Sequence, residues 1–284
     1  MPALSSTGCH VGLCLRVTPT IAEGNDGMSR WDPSKWELHQ LYLKHPRLRK
    51  LLPPTSLLTR RSLAGYIKDY GTVYIKGNTS HTGSNIIKAW KTEKGYRFVK
   101  ERGKPVDVYS INDLYDKVKD GRAASSVLVQ KAIELGEIDG RPFTIRLMLM
   151  RDGSQRWRYA GMIAKVSGKG SVISNVRRGG GYATTVDDAL AKSYGYARAQ
   201  IWSVRRELIR SGFQIISHAT RSGYPSYETG IDLGMDRTGK LWIIEVNLDD
   251  PSYKLFDRLS DKKYYHRINA LAKAYKERRL MSKA

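Results

Sequence analysis

The chain has 284 residues, 40% hydrophobic and 27% charged, a composition that can bury a sizeable core and that excludes a disordered or collagen-like protein. No run of about eighteen apolar residues occurs and the start lacks the basic, then apolar, pattern of a signal peptide, so no membrane partner and a cytoplasmic location are expected. Cysteines stand only at Cys9 and Cys14, which excludes a disulfide framework, and a net charge of +22 would attract any polyanion, including non-specific nucleic acid.

Residues 1–27 are small, polar and nearly uncharged. They hold Arg16 against Glu23 and Asp26, so the remainder carries +23. A disordered, dispensable leader is expected there, with Met28 a candidate start and residues 28–284 forming the domain. Ser34 to Lys50 is helical in pattern, with Trp36, Leu38, Leu41, Leu43 and Leu48 on a broad face, broken by Pro46 and stopped by Pro53-Pro54. Ser62 to Tyr70 predicts a second helix closed by Gly71, and Thr72 to Lys76 a strand.

Gly77 to Asn85 is a loop of small and polar residues whose backbone N–H groups could lie over phosphates, although ordinary hairpin loops share that composition. Lys76, ending a buried strand, calls for an anionic partner. A strand at 86–90, short strands over 94–108 and a helix at 111–119 that Asp113 helps start follow. After a linker come strands at 127–130, 143–151 and 156–166. Thr144 and Arg146 share one strand face, away from Phe143, Ile145 and Leu147, so Arg146 would point into a cleft and Lys165 would end the next strand likewise; solvated cations are the alternative.

Ser167 to Tyr182 is a second glycine-rich loop, carrying the cations Lys169, Arg177 and Arg178. Val186 to Ser211 has the spacing of one long core-packing helix that Gly212 ends, with a strand at 213–216. Ile231 to Met235 and Leu241 to Val246 form a hairpin about a turn at Asp236 to Gly239. Glu245 and Asn247 leave one face of their strand, and a turn centred on Arg237 and Thr238 puts Asp232 on that face too. Two carboxylates and an amide together, with no Lys or Arg interleaved among the three, suit a hard divalent cation of a metal-nucleotide site; solvated strand-edge acids are the alternative. A basic C-terminal helix at 255–280 reads as a solvated face.

Five segments, in this order and spacing, carry a family resemblance. They are Leu-Pro-Pro-Thr at 52–55, Val-Tyr-Ile-Lys at 73–76, Val-Leu-Val-Gln-Lys-Ala-Ile at 127–133, Ser-Asn-Val-Arg-Arg-Gly-Gly at 174–180, and Gly-Ile-Asp with Glu-Val-Asn in the hairpin. From about Trp31 to Ser252 the chain resembles the ATP-grasp ligases, within them the spore-coat-associated YheC/YheD type, with a further likeness to ribosomal-protein glutamate ligases. The resemblance implies an α/β (α+β) ATP-grasp fold, two α+β subdomains gripping ATP. The first lobe would span about 55–126, the second about 127–255 and a C-terminal helix 256–284, without the usual separate N-terminal domain.

By that likeness Lys76, Ser80, Gly83, Gln130, Lys131, Ala132 and Ile133 would line the nucleotide, and Glu134 or Glu137 would hold its ribose. Arg146, Lys165 and Asn175 would face the transferring phosphate and the acyl group, and Asp232, Glu245 and Asn247 would bind magnesium or manganese. Three positions depart from the family: Lys76-Gly77 replaces Lys-Pro, Gly83-Ser84-Asn85 replaces Gly-Lys-Gly, and Thr144 stands where the family has Asp.

The implied reaction joins a carboxylate and an amine at the expense of ATP, through an acyl phosphate. The excess charge suggests an acidic peptide as acceptor, and the missing domain suggests a partner subunit or second copy. The alternatives are an inactive ATP-binding module in spore or cell-envelope assembly, and a basic polyanion-binding protein.

Overall fold

The computed structural model describes residues 33–79, 86–101, 103–123, 126–169, 180–248 and 251–281, so the expectation of a disordered leader at 1–27 falls outside the described residues. Two antiparallel sheets organise the chain. The first contains β1 (Thr55–Leu57), β2 (Thr72–Gly77), β3 (Ile87–Thr92), β4 (Gly95–Lys100), β5 (Val106–Val108) and β6 (Val127–Lys131), in the order β1-β6-β2-β3-β4-β5. The second runs β10 (Tyr182–Thr184), β9 (Trp157–Val166), β8 (Arg141–Arg151), β11 (Glu228–Met235), β12 (Leu241–Asn247), with β7 (Glu137–Ile138) paired to β8. This is the α+β architecture that the resemblance implies. β6 is hydrogen-bonded between β1 and β2, so the first sheet takes in residues 127–131 as well.

Side-chain alternation decides which face of each sheet is free. In β2, Val73 and Ile75 point toward α2 (Arg60–Tyr70) and α3 (Ile111–Lys119), where they meet Leu63, Ile67, Leu114, Val118, Val127 and Val129. Each such fully buried aliphatic side chain contributes roughly 1.5–3 kcal/mol. The alternate residues Thr72, Tyr74 and Lys76 therefore leave the opposite face. α2 starts at a Thr59–Ser62 capping box and ends at Gly71, whose φ of +72° only glycine adopts without strain.

In the second sheet Phe143, Ile145, Leu147 and Leu149 face a core covered by α4 (Val186–Tyr194) and α5 (Arg198–Arg221). The other face takes α6 (Lys263–Met281) over Met148, Met150 and Ile163. α1 (Lys35–Leu43) adds Leu38, Leu41 and Tyr42 to the larger core.

Four expectations are corrected. The first helix ends at Leu43, and Leu48–Leu51 is a separate 3-10 turn, because Pro46 withholds an N–H. The long helix is two helices, since Gly195 takes the left-handed conformation (φ +66°) and closes α4. Gly212 does not end α5, and residues 213–216 are helical rather than a strand. A Cβ at Gly212 would come 2.3 Å from Leu147 Cδ2, so glycine there permits close helix-to-sheet packing. The C-terminal helix likewise divides into a 3-10 turn at Lys254–Arg258 and α6, where Asp261 accepts from the Lys263 N–H.

Candidate active site

The hairpin brings Asp232 and Glu245 directly opposite each other and Asn247 opposite Gly230. Its pairing next to the turn is Met235 with Leu241 and Leu233 with Ile243, a register that, continued, would set Asp232 against Ile244 on the wrong face. A one-residue bulge between Asp232 and Leu233 leaves Ile244 unopposed and restores the parity, so the two carboxylates share a face.

The neighbouring strands supply cations to that face. Asp232 pairs in register with Arg146 on β8, and Thr144, two residues earlier, pairs with Lys165 on β9. Arg146 donates to Asp232 through Nε at 2.6 Å and Nη2 at 3.0 Å, a two-pronged bond, and Lys165 Nζ lies 2.8 Å from Asp232 Oδ2. The hairpin alone contains no such cations; the sheet brings them in from β8 and β9. Burial alone would push the Asp232 carboxyl up, but Arg146 and Lys165 outweigh it and hold it well below the usual carboxylate range. Burial, joined by the neighbouring Arg146, pushes the Lys165 ammonium down, and Asp232 and Glu245 offset this only in part.

Gly230 makes room for this cluster, since a Cβ there would sit 2.9 Å from Arg146 Nη1 and 2.6 Å from Pro251 Cβ. Glu245 is held by Lys35 at 3.1 Å, a residue that sequence reasoning placed only in a helix. Two contacts aim it: Lys35 N donates to Asn78 O at 2.9 Å and Trp36 N to Asn78 Oδ1 at 2.9 Å, so the residue after β2 caps α1. No periodicity signals such a long-range cap.

Lys76 reaches the cleft from the first sheet. Its Nζ donates to Gln130 Oε1 at 2.6 Å, Gln130 Nε2 donates to Thr55 Oγ1 at 2.8 Å, and Thr55 Oγ1 donates to Pro53 O at 2.9 Å. The Pro-Pro-Thr segment thus orients the amide that receives Lys76. Burial pushes the Lys76 ammonium down to about 8, which Glu245 and Asp232 offset only in part while Lys35 adds to the fall. Lys35, Lys76, Gln130, Ile243, Ile244 and Glu245 line one open cleft.

Not every expected residue converges there. Lys131 pairs with Val73 and so leaves the face opposite to Lys76, where its Nζ lies 5.3 Å from the Tyr70 ring centroid and 5.9 Å from that of Trp242. The Ala132 N–H donates to Thr72 O at 3.0 Å, and Ile133 is half-buried beside it. Glu134 and Glu137 both turn to Arg237, at 4.0 and 3.5 Å, tying the segment after β6 to the hairpin turn. Ser80, Gly83 and Asn175 lie outside the described residues.

The donor set at Asp232, Glu245 and Asn247 fits a hard divalent cation. Asn247 Nδ2 donates to Gly230 O at 3.3 Å, so its Oδ1 remains as acceptor; Asp232 Oδ1 and Glu245 Oε1 each keep a lone pair beyond their present partners, whereas Asp232 Oδ2 is already shared by Arg146 Nη2 and Lys165. Among the described residues no group of three or more His, Cys, Asp or Glu converges, here or elsewhere, so this site offers two carboxylates and an amide. Among them, too, no helix is long and apolar enough to cross a membrane.

The chain is 25% identical over 248 residues to the endospore coat-associated protein YheD of Bacillus subtilis (strain 168), an alignment covering 84% of this chain and 52% of that protein, about half its length. It is also 30% identical over 91 residues to the RQC P-site tRNA stabilizing factor of the same organism, covering 32% of this chain and 99% of that protein. A YheC/D-like ATP-grasp family model matches residues 28–276, and the chain belongs to that family.

Proposed function

We propose that the chain is an ATP-dependent carboxylate-amine ligase, forming an amide or peptide bond through an acyl phosphate. The observation that carries this is the single face on which Arg146, Lys165, Asp232 and Glu245 meet, with Lys76 reaching them from the other sheet. Such a surface is built to hold negative charge in two forms: phosphate oxygens on the cations, and a cation on the carboxylates. Asp232, Glu245 and Asn247 would hold magnesium, which when bound supplies charge neutralisation to the phosphates. Lys35 then exchanges Glu245 for phosphate oxygen. Lys76, positioned by Gln130, neutralises the nucleotide, and Arg146 and Lys165 stabilise the charge that develops as the phosphoryl group moves to the substrate carboxylate.

The amine then attacks the activated carbonyl and phosphate leaves; closure over the open cleft would be needed to spare the intermediate from water. Gln130 to Ile133 run along the base, and Glu134 or Glu137 reaches the ribose by releasing Arg237. A net charge of +22 favours an acidic peptide as acceptor, with a partner subunit or second copy completing the acceptor side.

The test is product analysis by mass spectrometry with magnesium, ATP, amino acids and acidic peptides. An ATP-dependent amide product is expected, and Glu245→Ala should lower turnover by roughly 100-fold or more, the several kcal/mol of a metal clamp. Unchanged turnover in Glu245→Ala would refute the site. One observation favours a second reading: Gly83-Ser84-Asn85 contains no lysine, as a module that binds ATP without turning it over in spore or envelope assembly would tolerate. The endospore-coat association in a relative's name is in line with that reading. Mg-ATP binding without any product would establish it.

A further inference from the structure

α5 turns Ile201, Val204 and Leu208 toward the core and leaves an outer row at helical i, i+4 spacing, Arg198, Trp202 and Arg206. Trp202 is 60% exposed, whereas Trp36, Trp90, Trp157 and Trp242 are partly or fully buried. The Arg206 guanidinium lies 4.5 Å from its ring centroid. Next to it Arg205 leans toward α6 and donates to the Tyr264 hydroxyl at 2.8 Å, and Lys263 and Arg267 lie 5.5 and 6.0 Å from the Tyr264 ring. Although the two helices cover opposite faces of the second sheet, the Arg205–Tyr264 bond brings their basic and aromatic side chains together.

Two carboxylates belong to this surface: Asp187 pairs with Arg205, and Asp261 with Lys263. Arg198, Arg206 and Arg267 have no acidic partner among the described residues. An exposed tryptophan adds nothing to the core, and an arginine stacked on it in water adds little to stability. Together they match a ring for an unpaired base, flanked by cations for the phosphates on either side of it. A duplex hides its base faces, and an acidic peptide would use the arginines but not the ring.

We propose that this face of α5 and α6 binds single-stranded nucleic acid, a base stacking on Trp202 and phosphates on Arg198, Arg206 and Arg267. The site is separate from the ATP cleft. The test is fluorescence anisotropy with labelled single-stranded RNA and DNA of about twelve nucleotides, the matching duplexes and poly-glutamate, from 50 to 200 mM salt. Trp202→Ala should weaken single-strand binding by roughly tenfold or more and Trp202→Phe by much less, with thermal stability retained because the side chain is exposed. The Arg198→Ala, Arg206→Ala, Arg267→Ala variant should lower the slope of log affinity against log salt by about 2, the loss of three phosphate contacts on a single strand. Single-strand binding that ignores Trp202→Ala, duplex binding of equal strength, or poly-glutamate binding with the same Trp202 dependence would each overturn the proposal, the last in favour of an acidic protein partner.

Discussion

Lys76 offers a sharp test of the cleft, because a buried ammonium titrating near neutrality must respond to phosphate. In the free protein burial pushes it down to about 8 from an ordinary 10.5. Phosphate oxygens in contact would favour the charged form and lift it back. A full return corresponds to about 3 kcal/mol of coupling, at about 1.4 kcal/mol per pKa unit. The sign follows from proton counting. At pH 8 the free side chain is about half protonated and the bound one fully so, and binding takes up about half a proton. Below about pH 7 both forms are charged and uptake vanishes. Between about pH 8 and 10.5 the affinity for Mg-ATP should fall, by on the order of 100-fold in total, since the free protein has lost a proton that the complex requires. Calorimetry at pH 8 in buffers of different ionisation enthalpy measures the uptake directly. Lys76→Arg should abolish uptake and keep binding; Lys76→Met should abolish uptake and weaken binding. Buffer-independent enthalpy in the parent, or uptake that persists in Lys76→Met, would refute the placement of phosphate at Lys76.

Asp232→Asn should destabilise the fold by about 3–5 kcal/mol in denaturant melts, because it leaves Arg146 and Lys165 buried against a neutral group. The same carboxyl is held well below its usual 3.8, so its contribution is fully present above about pH 4 and is lost only as pH falls far below that; a melt series from pH 7 to 3 should show a parent-to-variant gap that is level to about pH 4 and has only begun to narrow at pH 3. Gly212→Ala, a change that normally favours a helix, should instead lower the melting temperature by about 1–3 kcal/mol worth of stability, since its Cβ would sit 2.3 Å from Leu147 Cδ2.

Much of the chain was legible locally. The strand at 72–77, the helix closed by Gly71, the helix at 111–119 and the paired strands of the hairpin follow from alternation, capping and turn residues, all interactions of near neighbours. Where near neighbours mislead, the error has a physical cause. Gly212 looks like a terminator in sequence but is a packing contact with Leu147, a strand more than sixty residues earlier. Arg146 and Lys165 could be assigned to a strand face, yet that they converge on Asp232 depends on β8 lying between β9 and β11. Lys35 carried no signal at all, because Asn78 aims it from another element. The hairpin states the lesson most fully. Its residues determine two apolar strands, a turn and three oxygen donors, whereas the shared face of Asp232 and Glu245 rests on a bulge at Ile244. A side-chain period of two makes facing depend on register parity, and parity is decided only when the strands pair.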